Sequence, residues 1–149
     1  IAPVIAGLCV SLYWGSLTAG RFLIGAIANH APPVRLLRVC MLGAAAGVMV
    51  LGLRVGHGLE AVGLGLTGFS LAVIFPTMIT QTPGRFASTH VANVVGFQGA
   101  AASIGIATIP WLFGIIARRA GLEVLPWLLL GATVIMIILH EAVVRRGKA

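Results

Sequence analysis

The chain has 149 residues, of which 59% are hydrophobic and 9% are charged, and its mean hydropathy is +1.08. Soluble domains carry roughly 25% charged residues, so the composition excludes an ordinary soluble domain. The formal net charge is +7, but the basic residues stand singly or in pairs at the ends of apolar stretches. This pattern favours a lipid bilayer with anionic headgroups as the partner, and it disfavours nucleic acid.

Five apolar segments follow one another along the chain. Residues 61–84, for example, contain no charged side chain, and about 20 apolar residues are enough to cross a hydrocarbon core of about 30 Å as a helix. Short connections with proline and glycine separate the segments. The sequence therefore predicts an all-α, polytopic membrane helix bundle with five transmembrane helices, at residues 4–28, 36–53, 59–80, 91–117 and 124–144.

The basic residues of the connections indicate an orientation, because positive charge is enriched in cytoplasmic loops. One side of the predicted bundle holds Arg35, Arg38, Arg85, Arg145, Arg146 and Lys148, and the other holds Arg54, Arg118 and Arg119. We therefore expect a multi-pass protein of the cell (inner) membrane. The N-terminus of this chain is expected outside and the C-terminus in the cytoplasm.

The first predicted helix carries a polar stripe. Ser11, Trp14, Thr18 and Arg21 recur at helical spacing, which places them on one face. The Trp14 ring offers a stacking surface for a sugar-like or aromatic ligand, with packing as the alternative. Arg21 is a charge inside a predicted span, where it either forms a gating ion pair or extends its side chain to the interface.

The third predicted helix carries a second polar stripe, formed by Thr67, Ser70, Thr77 and Gln81. One interpretation is that the two stripes face a shared, water-filled path. The alternative is that the hydroxyl groups bond to their own backbone or join neighbouring helices. Pro76 should kink this helix because proline removes a backbone hydrogen bond.

The fourth predicted helix is rich in small residues, which indicates close packing against its neighbours. Its face of small residues is formed by Gly96, Ala100, Ser103 and Ala107. Gln98 points in another direction, toward the predicted path. Pro110 should kink this helix as well.

Motifs in the first helix and the loop that follows resemble the eighth helix and the next cytoplasmic loop of the major facilitator superfamily. The helix motif is Tyr13-Trp14-Gly15 followed by Gly20-Arg21. The loop motif is Gly25-Ala26-Ile27-Ala28-Asn29-His30, followed by Arg35 and Arg38. It is similar to the family signature Gly-x-x-x-Asp-Arg, with Asn29 in place of the acid and His30 in place of the base.

Three further motifs extend this resemblance to helices ten to twelve. They are Gly63-x-Gly65-x-x-Gly68 leading into Phe75-Pro76-Thr77, then Gly96-Phe97-Gln98, and finally Arg145-Arg146. The first of them is similar to the tenth helix of fucose-permease-like sugar transporters. The resemblance implies that residues 1–149 form a C-terminal transmembrane half-domain, a partial major facilitator fold whose upstream helices are missing.

The function implied by the resemblance is secondary active transport of a small polar solute, sugar-like, by alternating access. Protons are the expected coupling ion, and the missing N-terminal half of the same transporter is the expected partner. The residues expected to line the solute path are Trp14, Thr18, Ser70, Thr77 and Gln98. Those expected at the cytoplasmic gate are Gly20, Arg21, Gly25, Asn29 and Arg35.

Two other classes of function remain open from the sequence. Gly68-Phe69-Ser70 resembles the Gly-x-Ser of a membrane serine hydrolase, but such a nucleophile needs a histidine within hydrogen-bond reach. The other class is a membrane scaffold or receptor that transports nothing. The four histidines lie near predicted helix ends, away from Ser70 near the middle of its span, so we expect no enzyme. The cysteines and histidines do not approach metal-ligand spacing, so we expect no metal or cofactor site.

Overall fold

The predicted all-α membrane bundle is confirmed. The computed structural model describes residues 3–28 and 30–146, and these ranges consist of helices joined by short turns. Two single 3-10 turns lie at Thr82–Gly84 and Leu122–Val124. The α-helices are α1 (Pro3–Ala28), α2 (Pro33–Leu53), α3 (His57–Leu71), α4 (Ile74–Thr80), α5 (Ser88–Ala120) and α6 (Leu125–Arg146).

Helix α2 begins at Pro33, earlier than the predicted start at residue 36. Proline is favoured in the first turn of a helix because the backbone N–H there would have no partner within the helix. The helix ends at Leu53, after which Arg54 adopts the left-handed conformation with a φ of 52°. A left-handed residue at this position stops a helix and turns the chain away from its axis.

Helix α5 extends beyond the predicted C-terminal boundary at residue 117. It ends where Gly121, with a φ of 89°, donates its N–H to the carbonyl of Ala117 over 2.9 Å. Arg118 and Arg119, predicted in a connection, therefore lie in the last turn of the helix. Their positive charge meets the negative end of the helix dipole there, which favours the longer helix.

The third predicted helix, over residues 59–80, lies within one candidate span, Gly58–Gly84, and its hydrogen-bond pattern is interrupted between α3 and α4. The helical hydrogen-bond pattern stops at Ala72 and Val73 and resumes at Ile74, while Ala72 keeps right-handed helical dihedrals, with a φ of −53° and a ψ of −37°. Pro76 explains the position of this break, because its ring excludes the carbonyl of the residue four positions earlier, which is Ala72. Helix α5 passes through Pro110 without such a break.

Four helical segments of the described chain are long and apolar enough to cross a membrane. They are Pro33–Leu53, Gly58–Gly84, Ser88–Ala120 and Leu122–Arg146. Helix α1 is not among them, although its 26 residues correspond to a length of about 39 Å at about 1.5 Å per residue. It carries the polar stripe that contains Arg21.

The chain forms two compact units, and the boundary between them follows Ile74. The first unit comprises residues 1–74 and 126–149, which hold α1, α2, α3 and most of α6. Helix α3 packs against both α1 and α2. The core of this unit is formed by Leu37, Cys40, Met41, Ala72, Val73 and Ile74, with Leu17, Ile24, Met136 and Ile137 packed around it.

Helices α2 and α3 approach each other backbone to backbone. A Cβ atom placed on Gly47 would lie 2.8 Å from the carbonyl oxygen of Gly63, and one placed on Gly63 would lie 2.8 Å from that of Gly47. Small residues permit this approach, and it is how helices associate in membranes, where apolar burial gives little driving force.

Helices α2 and α6 run in opposite directions. Near the C-terminal end of α2, a Cβ atom on Gly52 would meet the ring of Trp127 at 3.6 Å. Near its N-terminal end, Arg38 donates two hydrogen bonds to the carboxylate of Glu141. These two contacts fix the relative direction of the helices, because Trp127 and Glu141 lie near opposite ends of α6.

The second unit comprises residues 75–125 and contains most of α4, the turn Thr82–Gly84, helix α5 and the turn Leu122–Val124. Both turns pack against α5. Most of α5 is exposed, and Ala117 is its buried residue.

Candidate functional site

The predicted polar stripe of α1 lies on an exposed side of that helix. Ser11, Trp14, Thr18 and Arg21 are all exposed, and 59% of the Trp14 surface is accessible. The ring of Trp14 meets that of Tyr13 edge to face, with centroids 5.7 Å apart and planes at 79°. The hydroxyl of Thr18 donates to the carbonyl of Trp14 over 2.9 Å, which leaves its oxygen lone pairs available as acceptors.

The opposite side of α1 is packed against α3. Gly20 is buried, and a Cβ atom on it would lie 2.5 Å from the carbonyl oxygen of Phe69 and 2.8 Å from Cβ of Ala72. Tyr13 lies against Gly68 in the same interface. Gly20, predicted at the gate, thus lies where α1 and α3 come closest and where no larger residue fits.

Thr67 and Ser70, on the predicted stripe of α3, lie in the interface with α2. They are 7% and 5% exposed. The Thr67 hydroxyl donates to the carbonyl of Gly63 over 2.7 Å, and the Ser70 hydroxyl lies 2.6 Å from the position of a Cβ atom on Gly43. The structure therefore places Ser70, predicted on the solute path, against a glycine of α2.

The break after Leu71 divides the predicted stripe, so that Thr77 and Gln81 belong to the second unit. There the side chain of Gln81 donates to the carbonyl of Thr77 over 3.2 Å and accepts from Arg85 over 2.9 Å. Both sides of the Gln81 amide are thereby occupied. Thr77 is half-buried and contributes its backbone to this network.

Gln98 of α5 is held by a residue that the sequence analysis missed. The hydroxyl of Thr82, which is 2% exposed, lies 3.1 Å from Oε1 of Gln98 and 3.4 Å from the carbonyl of Met78. This contact joins the turn after α4 to α5. An amide oxygen that accepts from Thr82 leaves the amide NH₂ of Gln98 as the donor available to a ligand.

Three other residues predicted at the gate lie among the described residues: Arg21, Gly25 and Arg35. Arg21 and Arg35 are exposed, on α1 and α2 respectively. The space beside Gly25 is open, since no atom lies within 4 Å of a Cβ atom placed on it. Asn29 lies outside the described residues.

Arg38 of α2 and Glu141 of α6 form a charged contact within the first unit. Nε of Arg38 lies 2.5 Å from Oε1 and its Nη2 lies 2.7 Å from Oε2 of Glu141, a fork geometry typical of arginine and carboxylate. The two residues are 103 positions apart, so no local signal in the sequence predicts the pair. It ties the N-terminal part of α2 to the C-terminal part of α6.

Fold and side chains define the class of this protein as an α-helical membrane protein with several spans. Comparisons with protein-family models, with curated proteins and with solved structures found no match to the chain.

Proposed function

We propose that this chain is the C-terminal part of a secondary active transporter of the major facilitator type, which moves a small, polar, sugar-like solute by alternating access. The observation that carries the proposal is the exposed polar side of α1, with Ser11, Trp14, Thr18 and Arg21, opposite a side packed tightly against α3. A helix of membrane-spanning length with such a side needs water or protein beside it.

The free-energy cost of exposing the polar side of α1 to lipid favours water or protein as its neighbour. Arg21 lies in the last third of α1, where its cost in lipid is below the roughly 2.5–3.5 kcal/mol of an arginine at the centre of a spanning helix, and hydroxyl groups in hydrocarbon add to that cost. The exposed ring of Trp14 and the acceptor oxygen of Thr18 are groups that bind the apolar face and the hydroxyl groups of a sugar. A solute path beside α1 uses these groups and removes the cost of exposing them to lipid.

Gln98 supports the same proposal from the second unit. Its amide oxygen is engaged by the buried Thr82, so its orientation is fixed and its two N–H donors are offered to an acceptor. Precisely positioned amide groups of this kind give a polar site its specificity.

The break between α3 and α4 also supports transport. It lies within the candidate span Gly58–Gly84, and interrupted spans are typical of transporters, where they form binding sites and allow helix ends to move. Ala72 and Val73, at the break, are buried at 2% and 6% exposure, so the backbone groups whose helical hydrogen bonds are interrupted there are covered by protein, as a membrane requires.

Uptake by the full-length protein in proteoliposomes tests the proposal. With a panel of labelled monosaccharides and an inward proton gradient, we expect uptake of at least one sugar. Trp14→Ala and Gln98→Ala should each lower its uptake roughly tenfold, the effect of losing one well-placed polar or stacking contact. Trp111→Ala is the matched control, since Trp111 is 67% exposed on α5 and outside the proposed path.

Unchanged uptake in both Trp14→Ala and Gln98→Ala would contradict the assignment of the path. The absence of flux for every solute tested, with the protein correctly folded, would favour the scaffold or receptor class. A protonophore that leaves uptake unchanged would contradict proton coupling.

A further inference from the structure

A patch of arginines lies where α2 begins and α6 ends, beside the ion pair of Arg38 and Glu141. Arg35 lies one turn before Arg38 on α2, and Arg145 lies one turn after Glu141 on α6. Side chains three or four positions apart share a helix face. Because α2 begins and α6 ends here, both outer arginines lie one turn, about 5 Å, farther toward this end than the ion pair.

The acidic residues of the chain do not compensate this patch. The sequence contains three of them. Glu60 lies in the first turn of α3, shortly after the C-terminal end of α2. Glu123 lies just before the N-terminal end of α6. Each is therefore near the end of its neighbouring helix that is opposite to the patch. Glu141 is therefore the acid available at this end, and both of its oxygens are engaged by Arg38.

The outer arginines keep their charge available. Arg35 and Arg145 are exposed, and in the part of the chain that the structure describes neither forms a hydrogen bond or a salt bridge. The helices that carry them belong to the candidate spans Pro33–Leu53 and Leu122–Arg146. Because both arginines lie within the terminal turn or two of these spans, we expect their guanidinium groups at the membrane surface, at the depth of lipid headgroups.

We propose that Arg35, Arg38 and Arg145 form a binding site for the headgroup of an anionic phospholipid. Guanidinium groups match the geometry of a phosphate through paired hydrogen bonds. A basic residue at the membrane surface adds roughly fivefold in affinity for anionic lipid. Glu141 limits this site because its carboxylate, paired with Arg38 and also attracting Arg145, offsets one of the three positive charges. The inference does not depend on transport.

Lipid retention by the full-length protein tests the site. The protein is placed in nanodiscs of phosphatidylcholine with a minor fraction of phosphatidylglycerol. The protein is then released from the nanodiscs in the mass spectrometer, and the lipids that stay bound to it are counted by native mass spectrometry. The double variant Arg35→Gln/Arg145→Gln should retain phosphatidylglycerol roughly 25-fold less, about fivefold for each charge removed. The control Arg118→Gln/Arg119→Gln removes the same charge from the last turn of α5 and should retain it normally.

Equal losses in the two double variants would overturn the proposal in favour of general surface attraction, and so would no loss in either. Displacement of the lipid by millimolar inorganic phosphate would overturn it in favour of a free phosphate ligand.

Glu141→Gln provides a test that a folding defect cannot imitate. The substitution frees Arg38 from its partner, so retention of phosphatidylglycerol should rise above that of the unmodified protein. Retention that falls or stays the same in Glu141→Gln would contradict the role of Arg38 in the site. Melting temperatures of all variants in pure phosphatidylcholine nanodiscs check that each one is folded.

Discussion

At the scale of single residues, glycines decide how closely the helices of the first unit approach. Gly47 is buried, and a Cβ atom on it would lie 2.5 Å from Oγ1 of Thr67 and 2.8 Å from both the carbonyl oxygen of Gly63 and the backbone nitrogen of Thr67. Two of these neighbours are backbone atoms, which cannot move without moving the helix. The contact between α2 and α3 therefore requires glycine at position 47.

The substitution Gly47→Ala should lower the free energy of unfolding by about 1–3 kcal/mol, the usual cost of overpacking a tight contact. Unfolding in mixed micelles with increasing denaturing detergent, followed by circular dichroism, measures it. Gly15→Ala is the matched control, because no atom lies within 4 Å of a Cβ atom at that position of α1. Equal stability of Gly47→Ala and the unmodified protein would contradict the close approach.

Some positions of single residues could be predicted from the sequence, and some contacts between residues could not. The stripe of Ser11, Trp14, Thr18 and Arg21 follows from helical spacing alone, and the structure places all four on an exposed side of α1. The contact of Thr82 with Gln98 crosses a turn and joins residues 16 positions apart, so no periodicity predicts it. The burial of Ser70 depends on a glycine of another helix, which spacing within α3 cannot reveal.

At the scale of elements, the existence of the helices could be predicted because apolar length and proline or glycine connections determine them. The break between α3 and α4 was indicated by Pro76, but only as a kink. A proline inside a helix costs about 3 kcal/mol, and the chain can meet that cost by bending or by interruption. The packing of Ala72, Val73 and Ile74 in the core accompanies interruption here, whereas α5 stays helical at Pro110.

Replacing Pro76 by alanine should restore helix across the break, because residue 76 regains an N–H for the carbonyl of Ala72. Hydrogen exchange measured by mass spectrometry on a peptide that covers residues 72–76 should become slower. Pro110→Ala is the control, since the helix already continues there and exchange around it should change little. Unchanged exchange at residues 72–76 in Pro76→Ala would show that proline does not cause the break.

At the scale of the whole molecule, the described chain combines two compact units and four candidate spans. Positive charge is concentrated at one end of the first unit, where the N-terminal part of α2 and the C-terminal part of α6 hold Arg35, Arg38 and Arg145. Such a distribution is expected of a cytoplasmic surface. Composition and hydropathy were enough to predict several membrane-spanning helices, because the bilayer restricts which chains can cross it. They did not predict the division into two compact units after Ile74.

The central claim is that the polar side of α1 borders water and solute, and cysteine accessibility tests it most directly. In full-length protein with Cys9→Ser and Cys40→Ala, one cysteine is introduced as Thr18→Cys or as Leu12→Cys. Leu12 is 40% exposed on α1 and lies off the polar stripe. A charged, membrane-impermeant thiol reagent should label Thr18→Cys, with protection by the transported sugar, and should leave Leu12→Cys unlabelled. Absence of labelling at Thr18→Cys, or equal labelling at both positions, would contradict the claim.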